Sequence, residues 1–158
     1  MNREPITTSA SRVRQVEAIA NGTVIDHIPA EVTLAVARLL TTTDDQVFIG
    51  MNLRSTRIGR KGVVKISGRE LDVQAAAALA LIAPSATICI IRNYEVVGKN
   101  QIPIPEVFAD VAACANPNCV TNHERWPTRF LVIDRNPLQV RCHYCERAFA
   151  ADELTLLR

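Results

Sequence analysis

CANPNC at residues 114–119 and CHYC at residues 142–145 decide how the last third of this 158-residue chain folds. The two cysteine pairs lie far enough apart for the chain to fold back and bring four thiols to one point. Four thiolates suit a tetrahedral Zn²⁺ at metal–sulfur distances of about 2.3 Å, and a site closed by four protein ligands is structural rather than catalytic. We therefore predict one structural zinc ion with the ligands Cys114, Cys119, Cys142 and Cys145.

The sequence around the cysteines predicts a small zinc-bound β domain, because a short segment with little apolar core can fold on a metal ion. Short β-rich runs at 130–133 and 138–140 flank a turn centred on Asn136. Residues 101–105 contain two prolines separated by Ile104, which is typical of a linker. We expect a flexible tail, a first domain and the zinc-binding domain over residues 1–12, 13–105 and 106–158.

The sequence of the first domain predicts an α+β fold. Strand-like runs and amphipathic stripes alternate in the order strand, helix, two strands, helix, strand. This is the split β-α-β pattern of ferredoxin-like folds, with two helices on one face of an antiparallel sheet. Pro29 opens the first helix and Pro84 ends the second, as expected from the missing N–H and fixed φ of proline.

Four finer expectations concern the strands of this domain. Asn21-Gly22 is a strong hairpin signal, so residues 13–19 are expected to add a leading strand. The alternating Val47, Ile49, Met51 and Leu53 are expected to point one way. Residues 54–62 are basic and are expected to form a loop, and residues 86–97 are expected to form one long strand.

Composition limits the classes of protein that fit. Apolar residues make up 48% of the chain and charged residues 22%, which is ordinary for a globular protein. No apolar run approaches the roughly 20 residues that span a bilayer, and the N-terminus lacks the apolar core of a secretory signal. Unpaired cysteines in metal spacing fit a reducing compartment, so we expect a cytoplasmic protein that does not bind membranes.

Three polar features of the first domain could bind a nucleotide. Asp26-His27 lies at a strand end beside a helix N-terminus, where free N–H groups favour anions. Lys61 and Lys65 lie on one face of a strand, and NYEVVGK at 93–99 ends with a cation. Spacing alone favours a simpler interpretation, in which Asp26 caps a turn and the lysines are solvated.

Three motifs and the cysteine spacing nevertheless occur together in one order. They are QVEAI at 15–19, GTVIDHIP at 22–29 and NYEVVGK at 93–99, followed by the four cysteines. With them the chain resembles the regulatory chain of bacterial and archaeal aspartate carbamoyltransferase, from about Val13 to the C-terminus.

The resemblance implies a chain without catalytic activity that forms a homodimer and binds CTP as inhibitor and ATP as activator of pyrimidine biosynthesis, with UTP as a further candidate. Its zinc domain would dock on the catalytic chain. Carried over by motif, Val16 and Ile19 would border the base through backbone groups, Asp26 would hold the ribose, His27 would sit near the phosphates, Lys65 would meet base or sugar, Tyr94 would shape the base pocket and Lys99 would hold the triphosphate.

Two departures from the family pattern affect this transfer. The tail before Val13 is longer than expected, and Cys89 stands where a polar residue near the nucleotide is expected. The first bears on the shape of the pocket, because N-terminal residues of the family help to form it, and the second would alter the preference among CTP, UTP and ATP.

Two other classes of function are weighed against this one. A zinc-ribbon module that binds nucleic acid or another protein, without nucleotide regulation, is the alternative. The formal charge of +2 falls to about zero once four thiolates share one Zn²⁺, which argues against nucleic acid. A zinc enzyme is disfavoured, since four thiolates leave no open position. Asp26 and His27, as adjacent strand residues, are also expected to point to opposite faces.

Overall fold

A computed structural model describes residues 17–157 of the chain. We call residues 17–103 the N-terminal region and residues 106–157 the C-terminal region. The first contains β1 (Gly22–Pro29), α1 (Thr33–Leu40), β2 (Val47–Ser55), β3 (Gly59–Ser67), α2 (Val73–Ile82), β4 (Thr87–Arg92) and β5 (Glu95–Gln101). The second contains β6 (Val107–Ala109), β7 (Ala112–Ala113), β8 (Arg129–Arg135), β9 (Leu138–Cys142), β10 (Ala148–Ala150) and β11 (Thr155–Leu156).

The N-terminal sheet confirms the predicted fold class. Its strand order is β2-β3-β1-β4-β5, and all neighbours are antiparallel. The first four positions are the ferredoxin-like arrangement of a split β-α-β unit, and β5 extends it as an additional edge strand. The small β region with the cysteines follows, as predicted.

Both helices pack on one face of this sheet. Ile25, Val64 and Leu79 are fully buried in the same apolar cluster, which joins β1, β3 and α2. Helix α1 approaches β3 at Gly62, where a Cβ atom would lie 1.9 Å from Thr33 Oγ1. A residue without a side chain is therefore required there. Asp72 begins α2 by accepting a hydrogen bond from the Ala75 amide at 2.7 Å.

The C-terminal region forms a four-stranded sheet in the order β10-β9-β8-β6, and β11 pairs separately with β7. Phe108, Phe130 and Val140 are buried on the inner side of this sheet. They belong to the same apolar cluster as the helices of the N-terminal region. Among residues 17–157, no helix is long and apolar enough to cross a membrane.

Two strand boundaries were predicted wrongly: a turn without glycine was missed, and a basic, glycine-containing stretch was expected to be a loop throughout. Residues 86–97 are not one strand: β4 and β5 form a hairpin whose turn residues, Asn93 and Tyr94, have φ values of 51° and 65°. These values fit the two-residue turn that matches strand twist. Residues 54–62 are not a loop either, since β2 continues to Ser55 and β3 begins at Gly59.

The leading strand is also wrong within the described residues. Residues 17–19 are not in a strand, and both edges of β1 are already occupied by β3 and β4. Asn21 instead accepts a hydrogen bond from the Asn93 amide through its side chain, at 3.2 Å. Residues 1–16, which include the predicted tail and Val16, lie outside the described part of the chain.

The alternating pattern of β2 does not correspond to one buried face. Ile49 and Met51 remain 43% and 45% exposed. The register between β2 and β3 shifts between Gly50 and Leu53, and Asn52 has a φ of 56°. This irregularity breaks the simple alternation at an edge strand.

Candidate functional sites

The four predicted zinc ligands lie together in the structure. The sulfur atoms of Cys114, Cys119, Cys142 and Cys145 all lie within 4.8 Å of one another. The Sγ–Sγ distance is 3.7 Å between Cys114 and Cys145 and 3.8 Å between Cys119 and Cys142. A tetrahedron with arms of about 2.3 Å has edges of about 3.8 Å, so the cluster fits Zn²⁺. The distances are far too long for disulfide bonds.

Backbone and side-chain hydrogen bonds hold the first cysteine pair in this arrangement. Asn122 Nδ2 donates to the carbonyl oxygens of Cys114 and Asn116, at 2.9 and 2.8 Å. Asn116 is buried, and its carbonyl accepts from the Cys119 amide. Thr121 Oγ1 donates to Cys119 Sγ at 3.3 Å and so helps to orient that sulfur. These polar residues were not singled out from the sequence, although asparagines inside and just after a cysteine pair are a usable signal.

The ionisation of the thiols also favours a bound cation. Burial raises the pKa of Cys114 and Cys142. Burial acts in the same direction on Cys145, but hydrogen bonds led by the Arg147 amide lower the pKa of that thiol to about 7. A divalent cation among the sulfur atoms would offset this cost of burial and allow four thiolates to share one site. His123 and His143 are exposed and lie outside the cluster.

The second candidate site is the face of the N-terminal sheet that the helices leave uncovered, which we call the open face. Its floor is apolar: Ile19, Cys89 and Ile91 form a buried cluster, and Val24 and Phe48 pack against it. Cys89 is the cross-strand partner of both Val24 and Lys99. The lone thiol is therefore buried, as predicted, but at the centre of this face.

A polar cluster borders the floor at the end of β1. Asp26 Oδ1 accepts from the His27 amide at 2.6 Å and from Lys61 Nζ at 2.7 Å, and Asp26 Oδ2 lies 3.7 Å from His27 Nδ1. The expectation that these two neighbours point to opposite faces is wrong. His27 has a φ of 57°, and the β1–β3 register shifts between Ile25 and Ile28. The bulge turns both side chains to one side.

The remaining predicted residues lie around the same face, at different positions along the strands. Lys65 pairs with Val24 in the sheet, and its Nζ donates to the Glu17 carbonyl at 2.8 Å. Lys99 pairs with Cys89 from β5. Tyr94 is 70% exposed, and its amide donates to the Ala20 carbonyl at 2.9 Å, which fixes the β4–β5 turn next to Ile19. The structure thus brings together the described members of the set.

Charge on this border is mainly positive. Burial would raise the pKa of Asp26, but hydrogen bonds from Lys61 and the His27 amide hold that pKa below its usual value. Burial lowers the pKa of His27, and nearby Lys61, Arg57 and Lys99 lower it further against the opposing pull of Asp26. The border is therefore an anionic carboxylate and a neutral imidazole among cations, which suits a polyanionic ligand.

Comparison with known proteins gives the family. The model of the aspartate carbamoyltransferase regulatory chain, allosteric domain, matches residues 14–103, and that of its metal binding domain matches residues 106–155. The chain belongs to this family. A regulatory chain from Pyrococcus abyssi is 47% identical over 144 residues, which cover 89% of this chain and 95% of the relative. One from Porphyromonas gingivalis is 46% identical over 144 residues, covering 90% and 95%.

Membership of the family confirms three of the predictions. The relatives are named as regulatory chains, so the chain is a regulatory and not a catalytic subunit. The C-terminal region is a metal-binding domain whose four-cysteine cluster fits zinc. The zinc-ribbon alternative without a regulatory role is not favoured.

Sequence reasoning missed or undervalued two residues near the open face. Lys61 is not among the residues carried over by motif, yet it makes the ion pair with Asp26. Thr87 was not considered, although it is buried and its Oγ1 lies 3.4 Å from His27 Nδ1. The signal for Lys61 was available, since it lies four positions from Lys65 on one strand. Nothing in the sequence pointed to Thr87, because its contact depends on the pairing of β1 with β4.

Proposed function

We propose that the open face binds nucleoside triphosphates, CTP as inhibitor and ATP as activator, and with them modulates the catalytic chains of aspartate carbamoyltransferase in pyrimidine biosynthesis. The observation that carries this proposal is the Asp26–His27–Lys61 cluster beside an apolar floor. A carboxylate can accept from ribose hydroxyls, cations can bind phosphates, and an apolar floor can take a base.

Each of the predicted residues is assigned to one part of the nucleotide. Asp26 holds the ribose, and His27 and Lys99 lie near the phosphates. Lys65 contacts base or sugar, while Ile19, Tyr94 and their backbone groups border the base. Val16 is assigned to the base on the family motif alone.

Base preference rests on groups other than Cys89. A buried thiol is a weak hydrogen-bond donor, and burial raises the pKa of Cys89, which keeps it neutral. Backbone groups of Ile19 and of the Asn93–Tyr94 turn then supply most of the base recognition.

The C-terminal region is the part that docks on the catalytic chain. One Zn²⁺ held by the four cysteines orders it, and exposed apolar side chains then become available to a partner. Leu131 and Ile133 point outward from β8, and Trp126 is half-exposed with its ring edge-on to Tyr144 at 5.6 Å between centroids. Exposed apolar and aromatic groups of this kind mark protein interfaces.

The same proposal covers assembly and location. The domains are 13–105 for nucleotide binding and 106–158 for zinc, and the chain forms homodimers as well as the complex with catalytic chains. The cytoplasm is the proposed compartment, because five cysteines without a disulfide bond, four of them grouped for a metal ion, fit a reducing environment.

Regulation follows if each nucleotide binds two states of the complex unequally. Such coupling is typically about 1–3 kcal/mol and is reciprocal, so substrate must change nucleotide affinity by the same factor. The test is to assemble the chain with the catalytic chain and measure activity at low aspartate with and without CTP or ATP. Opposite effects of the two nucleotides are expected. Identical activity under all three conditions, or no calorimetric heat with any triphosphate, refutes nucleotide regulation.

A further inference from the structure

Helix α2 contacts the C-terminal region at both of its ends, and the two contacts differ in kind. Towards its C-terminal end, Leu81 is buried in the same apolar cluster as Leu154. Towards its N-terminal end, Gln74 Nε2 donates to the carbonyl oxygens of Ala109 and Asp110, at 3.3 Å each. One end is therefore held by packing and the other by hydrogen bonds from one side chain, which we call the Gln74 clasp.

The Gln74 clasp lies beside an opening. A cleft of about 1130 Å³ separates α1 and α2 from the C-terminal region, and both Gln74 and Asp110 line it. Leu81 and Leu154 also line a smaller cleft, of about 520 Å³, so both contacts lie at the edge of an opening and differ in kind: hydrogen bonds at Gln74 and apolar packing at Leu81. A rotation of the C-terminal region about the apolar end of α2 would change the distances at the clasp more than those at Leu81.

The backbone at Ala109 and Asp110, to which Gln74 donates, is connected to the metal cluster by hydrogen bonds. Asp110 has a φ of 53°, and it exchanges two hydrogen bonds with Thr128: its amide donates to the Thr128 carbonyl and its Oδ1 accepts from the Thr128 amide. The preceding Pro127 carbonyl accepts from the hydroxyl of Tyr144, which lies between Cys142 and Cys145. A displacement of the backbone at Asp110 would therefore also displace Thr128 and Pro127, and with them Tyr144, which lies between two of the cysteines.

The other side of α2 is connected to the open face. Leu79 lies in one buried cluster with Ile25 and Val64. Their neighbours Asp26 and Lys65 carry side chains on the open face. Because a protein core is close-packed, a shift of β1 or β3 on ligand binding moves α2 with it.

We propose that Gln74 is a positioning residue that couples the open face to the metal-bearing region. It contacts neither the nucleotide nor the metal, and it fixes the orientation of one region relative to the other. The inference rests on the proposed nucleotide site. It adds the route by which that site acts.

Gln74→Glu is the sharpest variant for a test. The side chain keeps its size, but a carboxylate cannot donate and would face two carbonyl oxygens. A negative charge in the first turn of a helix is favourable, so α2 itself is retained. Val73→Glu is the matched control, because Val73 is 87% exposed and the substitution adds the same charge one residue earlier.

Both variants are assembled, zinc-loaded, with the catalytic chain, and CTP affinity and the CTP-dependent change in activity are measured. For Gln74→Glu we expect CTP affinity within about twofold of the wild type and a CTP effect on activity weaker by at least about twofold. Val73→Glu should match the wild type in both. Hydrogen exchange at the Asp110 amide should be faster in Gln74→Glu alone.

Each other outcome identifies what is wrong. An undiminished CTP effect in Gln74→Glu overturns the inference while the nucleotide site stands. A large loss of CTP affinity in that variant also overturns it, since Gln74 would then act on the site directly. Failure of the wild type to bind CTP refutes the proposed site, and the inference falls with it.

Discussion

The two regions of this chain differ in what stabilises them. The N-terminal region closes a layer of two helices over a five-stranded sheet, and most of the fully buried aliphatic side chains lie there. The C-terminal region has about fifty residues, short strands and few large buried groups besides Phe108 and Phe130. Domains of that size usually need a metal or a disulfide, because too little apolar surface is buried. The difference indicates that one region is stable by packing and the other depends on an ion.

This contrast also separates the functions. The open face lies on the region that folds by packing, so it can bind a ligand with small changes in its sheet. The exposed apolar groups lie on the region that needs the metal. Conditions that disturb the ion should therefore abolish assembly before they abolish nucleotide binding.

Removal of the metal should have the largest effect. Structural zinc in small domains binds with an apparent free energy of about 10–16 kcal/mol, and this becomes folding free energy. We expect a chelator to unfold the C-terminal region, seen as a shift in the emission of Trp126, which is the chain's only tryptophan. Amides of β1 and β3 should stay protected from exchange. Simultaneous loss of both regions would contradict the comparison.

A substitution in the core of the N-terminal region should have the opposite effect: it should destabilise that region and leave metal binding unchanged. Leu79→Ala removes a fully buried side chain beneath the N-terminal sheet and should lower the free energy of unfolding by about 2–5 kcal/mol. The metal content of the folded protein should not change. Leu34→Ala is the control, since it makes the same chemical change on α1 at an exposed position. Equal destabilisation by the two variants would show that α2 does not carry the core.

A charge change on the open face should affect only ligand binding. Lys99→Ala removes one cation from the border of the site and should weaken triphosphate binding by about 10- to 100-fold, as expected for a charge-assisted hydrogen bond. Lys99→Arg keeps the charge and should retain most of the affinity. Calorimetric titration measures both. Equal affinity of Lys99→Ala and the wild type would remove Lys99 from the site.

The smallest expected effect is a pH dependence from His27. Its pKa lies below the usual value because of burial and the surrounding cations, so the ring is neutral at neutral pH. Bound phosphates would favour the protonated ring, so binding takes up a proton, and affinity rises as pH falls towards the lowered pKa of His27 and levels off below it. The gain should stay within about tenfold. In His27→Gln this part of the pH dependence should disappear; a profile identical to the wild type would place the phosphates elsewhere.

The sequence predicted the cysteine cluster fully, because close cysteine pairs leave few other arrangements. It also predicted the ferredoxin-like order, since the helical stripes and β-rich runs alternate. The turn at Asn93-Tyr94 was not predicted, because no glycine marks it and only four residues separate the apolar residues on either side. The bulge at His27 was missed for a related reason: it depends on how β1 pairs with β3, and no local pattern reports a register shift. The Gln74 clasp likewise arises only when the two regions meet.

The central claim is that zinc orders the docking region while the open face binds nucleotide independently of it. The most direct test compares zinc-loaded and zinc-stripped chains by calorimetric titration with CTP and by sedimentation with the catalytic chain. The account predicts CTP binding by both chains and complex formation only by the zinc-loaded one. A stripped chain that still forms the full complex, or a zinc-loaded chain that gives no heat with CTP, would contradict it.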